Sequence, residues 1–516
     1  MKRRDFIRKA GLSSVALPLV ANKMSYQTVM KTLFSVDESV EDRVLVIIRM
    51  NGGNDGLNTV IPLNYYDNLV VQRQNIILPE RDILDLEMSN LGFHSTMSGM
   101  RNMFKEGNLS IIQNVGYPNA NRSHFKSTDI WTRGLINNNG STGWLGRYLD
   151  GNYPNFPDDY PNTENEDPFA ISFGHLVSAT CQGLMSNFSL AVEDPENVRQ
   201  LSTSVNVFED STYGDHLKFI SSMIDQTNAY SVRIEDAMNR GNTLSQKYDD
   251  ENKLAEQLRN VAQLISGGLK TKIYILNVNG FDTHSGQVES GNPNVGEHQV
   301  LLKTISDAVE AFQDDLKLLK LEERVMGMTF SEFGRQIASN DSYGTDHGEA
   351  APMFLFGNCF NSQVMGDNPV ISNKIERQKA LDYQFDFRDI YASILRDWFL
   401  APESEIQSLF EHQVTYYPLF ACKEDQPDNQ LMRLINVYPN PTVNTATLAF
   451  SSNSEDVRVV MFDLRGRLVK QVFSRALDEG PHQVPIDVSG LSAGMYVVKV
   501  LKESGDLSVK LLKTKY

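Results

Sequence analysis

The chain has 516 residues, more than one typical domain, so two or more folded units are expected. Hydrophobic residues make up 41% and charged residues 22%, an ordinary globular balance, and the net charge of −17 argues against a nucleic-acid partner, which needs basic patches. Three cysteines, Cys181, Cys359 and Cys422, lie far apart, which argues against a disulfide framework or a CxxC metal knuckle; Cys181 and Cys359 read as packing residues.

The first ten residues, Met1-Lys-Arg-Arg-Asp-Phe-Ile-Arg-Lys-Ala10, are basic, and the short apolar segment Leu12–Ala21 follows. This pattern predicts an export signal over 1–25, too short to span a bilayer. Arg3-Arg4 followed by Asp-Phe-Ile-Arg resembles a twin-arginine signal, which implies passage of a folded protein through the twin-arginine machinery; an ordinary Sec signal is the alternative. No later stretch is long and apolar enough to cross a membrane.

Between 40 and 422 continuous apolar runs alternate with helical patterns. Val44–Met50, Leu109–Val115, Ile273–Val278, Val325–Phe330 and Met353–Phe356 read as strands buried on both faces. Leu254–Ile265, Leu301–Leu316 and Asp386–Leu400 carry apolar residues at helical spacing, and another helix is expected near 215–240. The prediction is an α/β domain with a mostly parallel sheet flanked by helices. Segment 138–240, rich in Asn, Asp, Ser and Pro, reads as an insertion shaping one side of a site.

The residues suited to chemistry follow these runs, where ligand sites assemble in open α/β sheets. Asp55 lies in the glycine-rich Asn51-Gly-Gly-Asn-Asp-Gly56, as a ligand or as part of a tight turn. Asp282-Thr-His284 places two side chains on one side of an extended segment. Asp346-His347, in Gly344-Thr-Asp-His-Gly348, is a second pair. Asp and His are ligands for Zn²⁺-like or Mn²⁺-like ions, so a divalent metal site, with Zn, Mn, Ca or Mg in one or two copies, is expected. Glu332, in Ser331-Glu-Phe-Gly-Arg335, is a ligand, a carboxylate orienting a histidine, or a partner of Arg335. In Arg122-Ser-His-Phe125, Ser123 at a helix N-terminus is either a nucleophile or a plain cap. Arg122, His124, Arg133 and Arg147 are candidates to supply positive charge to an oxyanion.

Beyond 422 the character changes: 423–434 is a polar linker, and 435–516 holds short alternating runs punctuated by glycine, which predict a small β-sandwich. Val437-Tyr-Pro-Asn-Pro441, Asp463-Leu-Arg-Gly-Arg467 and Leu491-Ser-Ala-Gly-Met-Tyr-Val-Val498 resemble the type A C-terminal sorting domain of the type IX secretion system. That resemblance implies transit through the periplasm of a Gram-negative bacterium to the cell surface or the medium.

In the central region, Met50-Asn-Gly-Gly-Asn-Asp-Gly-Leu-Asn58, Arg122-Ser-His-Phe125, Gly280-Phe-Asp-Thr-His284, Thr329-Phe-Ser-Glu-Phe-Gly-Arg335, Gly344-Thr-Asp-His-Gly348 and Asp386-Phe-Arg388 resemble, in order, the family called domain of unknown function 1501. That family resembles in turn the alkaline phosphatase and sulfatase superfamily, which implies an alkaline-phosphatase-like fold. The superfamily implies one ion on Asp55, Ser123, Asp346 and His347, and a second on Asp282 and His284. Its last histidine has no counterpart after the second pair until His412, with His298 or Glu332 as substitutes. The resulting expectation is a metal-dependent hydrolase of phosphate or sulfate esters, acting on a small anionic ester or a sulfated or phosphorylated glycan, with Ser123 or a metal-bound water as nucleophile. The alternative is a secreted, non-catalytic surface or glycan-binding protein on a decayed scaffold.

Overall fold

Strand β1 (Val44–Asn51) is buried along nearly its whole length and sets the architecture. Val44, Val46, Ile48 and Met50 enter one core, Leu45 and Ile47 the other, so hydrophobic side chains leave both faces. The computed structural model describes residues 42–420, except 138–139, 199–200 and 202–210, and residues 436–514, except 439–441, 453, 464–466, 479 and 503–506. The expected export signal, the linker 423–434 and Cys422 lie outside the described residues.

The unit Asp37–Ala421 is built on a nine-stranded mixed sheet. Its other strands are β2 (Leu109–Gly116), β3 (Ala170–Phe173), β4 (Ser189–Val192), β5 (Ile273–Asn279), β6 (Val325–Phe330), β7 (Ala351–Phe356), β8 (Val364–Met365) and β9 (Phe385–Asp386). The order is β8-β2-β7-β6-β1-β5-β3-β4, with β9 also paired to β2. Every pairing is parallel except those of β7, which is antiparallel to β2 and β6. The five strands expected from apolar runs are all present. The insertion reading of 138–240 is corrected: its β3 and β4 extend the sheet at one edge.

Helices α1 (Ser98–Glu106), α5 (Lys253–Ser266) and α6 (Glu297–Leu318) pack on one face of this sheet. Helices α2 (His124–Arg133), α3 (Trp144–Asn152) and α7 (Phe387–Asp397) pack on the other. Between α3 and α5 in the chain, α4 (Thr212–Arg240) sends Ile234, Ala237 and Met238 into the first core. The second unit holds two antiparallel sheets, three-stranded and four-stranded, around a core that includes Leu448, Val459, Ile486, Val498 and Leu511. Alternation of buried and exposed residues over Val484–Val488 shows the half-buried strand pattern that the sequence predicted.

The sheet fixes where loops meet. Strand β1 lies between β6 and β5, parallel to both, with Asn51 opposite Asn279 and Arg49 opposite Phe330. The segments that follow these three strands therefore emerge side by side. The chain leaving β2 reaches the same edge, and so does the loop entering β7, because β7 runs the other way. Close approach there requires glycine: a Cβ on Gly52, whose φ is +124°, would lie 2.2 Å from the Asp282 amide nitrogen.

Candidate metal centre

Four side chains from three segments converge at this edge. His124 opens α2, Asp282 and His284 follow β5, and His347 precedes β7. His124 Nε2 lies 3.3 Å from Asp282 Oδ2. His284 Nε2 and His347 Nε2 lie 3.2 Å and 3.1 Å from Asp282 Oδ1. The two latter ring nitrogens are only 2.9 Å apart.

Each ring is oriented through its other nitrogen. His347 Nδ1 is 2.8 Å from the Arg122 carbonyl oxygen, which can only accept, so the proton sits on Nδ1. His124 Nδ1 is 3.0 Å from Glu332 Oε1, and His284 Nδ1 is 2.9 Å from Asp346 Oδ1, which assigns those protons likewise. Phe333 packs against the His124 and His347 rings, with centroids 5.0 Å and 4.6 Å away.

In these tautomers the Nε2 lone pairs of His284 and His347 face each other and Asp282 Oδ1, and that of His124 faces Asp282 Oδ2, with no proton between them. That arrangement is repulsive by itself and fits a divalent cation, for which three imidazole nitrogens and one carboxylate oxygen are a suitable donor set. The carboxylates behind the rings match the usual support of a ligating histidine.

Arg335 holds the carboxylate in place. Its guanidinium donates to Asp282 Oδ1 at 2.8 Å and to the carbonyls of Gly53, Phe281 and Thr345 at 2.6, 2.8 and 2.7 Å, as well as to Gly52. Partial burial works to raise the Asp282 pKa, but the hydrogen bond and positive charge of Arg335 overcome it and hold the group at about 2. The His347 pKa is lowered, by burial first, against the opposing effect of Asp282. Burial also opposes ionisation of Asp346, and the His284 and Asn340 hydrogen bonds outweigh it, so its pKa is lowered.

The structure distributes the expected site residues over three roles. Asp282, His284 and His347 belong to the convergence, joined by His124, which the sequence suggested as a source of positive charge for an oxyanion. Asp346 and Glu332 instead stand behind His284 and His124; Glu332 accepts from the Gly52 amide at 2.9 Å and is not paired with Arg335. Asp55 is placed elsewhere. It is 1% exposed, and Arg73 Nη1 lies 3.0 and 2.9 Å from its two oxygens, while Gln287 donates to Oδ2 at 2.6 Å. A carboxylate so buried and held stands apart from the cluster, and this geometry does not bring Asp55, Ser123, Asp346 and His347 together around one ion.

Ser123 is exposed and is the N-cap of α2 without making a side-chain cap bond. Arg122 pairs with Glu349 at 2.9 Å and reaches the site through its carbonyl. His298 bonds to Asn54 at 2.9 Å and His412 to Asp389 at 2.8 Å, so neither supplies a missing ligand. Arg133 pairs with Asp129, and Arg147 donates to the carbonyls of Arg133, Thr142 and Leu409. Sequence reasoning missed Arg73, Gln287, Asn340 and the ring-orienting role of the Arg122 carbonyl; none of these carries a sequence signal of its own.

No curated protein sequence matches the chain. Among solved structures, it is similar to the PsFucS1 sulfatase from Pseudoalteromonas sp., at 10% identity over 94% of this chain and 88% of that one, with a TM-score of 0.34. It is also similar to a protein of the alkaline phosphatase superfamily from Vibrio parahaemolyticus, at 9% identity over 86% and 78%, with a TM-score of 0.29. The alkaline phosphatase of the Antarctic bacterium TAB5 matches at 10% identity over 61% and 92%, with a TM-score of 0.25. Residues 436–514 match the secretion system C-terminal sorting domain, of the type IX kind. Residues 107–415 match the model for the protein of unknown function DUF1501, and with three-fifths of its length inside that match the chain belongs to this family.

Proposed function

We propose that the protein is an exported, metal-dependent hydrolase of phosphate or sulfate esters with a single-ion centre on His124, Asp282, His284 and His347. The observation that carries this reading is the convergence of three Nε2 atoms on Asp282, each ring fixed through Nδ1. A divalent ion held there supplies Lewis acidity and charge neutralisation to an anionic ester.

The chain's own groups supply the rest. Ser123 presents a hydroxyl free of any cap bond, next in sequence to His124 and in reach of solvent. The first amides of the ten-residue α2 and its dipole favour a phosphoryl or sulfuryl group beside that hydroxyl. In this reading Ser123 is the nucleophile, and α2 stabilises charge on the oxygens of the group under attack. Sealing of Asp55 by Arg73 favours one ion over two. The C-terminal sorting domain supports export to the cell surface or beyond, where a sulfated or phosphorylated glycan is a substrate of suitable charge.

The test is metal analysis of the purified chain and turnover of aryl phosphate and aryl sulfate for wild type, His347→Ala and Ser123→Ala. Turnover that needs an added divalent ion and vanishes in both variants supports the proposal. A protein that binds an ion tightly but turns over neither ester supports the second reading, a non-catalytic surface protein, which the sealed Asp55 favours over a two-ion enzyme. Turnover unaffected by chelation would sink both.

A further inference from the structure

We infer that Gln287 is a positioning residue that latches the two ligand-bearing loops to the buried Asp55–Arg73 pair; this rests on the metal-centre reading above. Gln287 is fully buried, as are Arg73, Thr283 and Thr345. Its amide nitrogen donates to Asp55 Oδ2 at 2.6 Å. Its amide oxygen accepts from Thr345 Oγ1 at 2.7 Å and from Thr283 Oγ1 at 3.2 Å. The orientation of the amide is fixed by chemistry: a carboxylate only accepts, so the NH2 group faces Asp55 and the amide oxygen is left to accept from the two hydroxyls.

Both threonines sit inside the ligand motifs. Thr283 separates Asp282 from His284, and Thr345 precedes Asp346 and His347. The loops also touch directly, through Thr345 N–H to the Thr283 carbonyl at 3.2 Å. Gln287 is itself anchored, because its carbonyl accepts from the His298 amide of α6. One side chain therefore sets the spacing of two loops whose ring nitrogens stand 2.9 Å apart. Asp55, which holds no position among the converging ligands, gains a role as the fixed end of this latch: Arg73 donates to both of its carboxylate oxygens and to the Ile337 carbonyl at 2.9 Å. A group that orients metal ligands from behind typically changes ion affinity by about 10–100-fold when removed.

The experiment titrates the full chain with Co²⁺, reading the dissociation constant and the visible absorption bands of the bound ion. Gln287→Met and Thr345→Val are expected to bind about 10–100-fold more weakly with altered bands, and Thr345→Ser, which keeps the hydroxyl, to restore both. Equal affinity and unchanged bands in wild type and Gln287→Met overturn the latch alone. Should Gln287→Met fail to fold by circular dichroism, the Thr345 pair decides: identical binding by Thr345→Val and Thr345→Ser overturns it. Absence of Co²⁺ binding by the wild type sinks the metal-centre reading itself, and the latch with it.

Discussion

Two clusters of acids, histidines and arginine lie at the same edge of the sheet and have opposite character. Around Asp55 everything is closed: Asp55, Arg73, Gln287, His94 and His298 are at most 1% exposed, and the carboxylate is held by a cation and an amide. Around Asp282 the carboxylate side chain is 47% exposed, and its oxygens face three imidazole nitrogens that carry no proton toward it. Residue type alone does not separate structural from reactive groups here. What separates them is which partner a carboxylate has and where the ring lone pairs point.

The comparison predicts different responses to substitution. Arg73→Met leaves a buried carboxylate unpaired, so urea unfolding should show a loss of about 3–5 kcal/mol. A loss under 1 kcal/mol would mean that the closed cluster is not the rigid element described above.

Acid should act next. Burial first, and then the neighbouring His298, lower the His94 pKa to about 3, while burial chiefly lowers that of His298 to about 4. Both rings are neutral in the folded protein at pH 7, and the unfolded chain binds protons there near pH 6.5. Stability is therefore full above about pH 6.5 and falls as pH drops toward 4, by about 1.4 kcal/mol per pH unit for each ring. Asp150, Asp397 and Glu405, whose carboxyl pKa values burial raises, oppose this trend at its acid end. Denaturant midpoints of the metal-free protein at pH 7 and 5 check the slope, which His94→Gln should reduce.

The open cluster should respond in the other way. His347→Ala removes a ring from a mutually repelling set, so metal-free stability should change by less than about 1 kcal/mol. The same variant should lose the rise in melting temperature that a saturating divalent ion gives wild type. Smallest of all is Ser123→Ala: with no cap bond to lose, its unfolding free energy should stay within about 0.5 kcal/mol of wild type while turnover disappears.

Much of the scaffold was legible because long apolar runs have few alternatives. Val325–Phe330 forms a strand with the bounds its pattern suggested, and Ile273–Val278 differs from its strand by one residue. Strands β3 and β4 were not legible: each has four residues, and polar flanks rich in Asn, Ser and Pro hide so short a run. At the site, the pairs Asp282/His284 and Asp346/His347 stood out by type and by position after strands. Asp55 stood out in the same way, yet its partner Arg73 comes from a helix end that only tertiary structure brings near. His124 was visible beside Ser123, but its contact with Glu332 joins residues 208 positions apart, and no spacing rule reports that.

The most direct test of the central claim is metal content after dialysis against a divalent ion, measured for wild type and His347→Ala side by side. Close to one equivalent should stay bound to wild type and almost none to the variant. Equal content in the two proteins, or none in wild type, would contradict it.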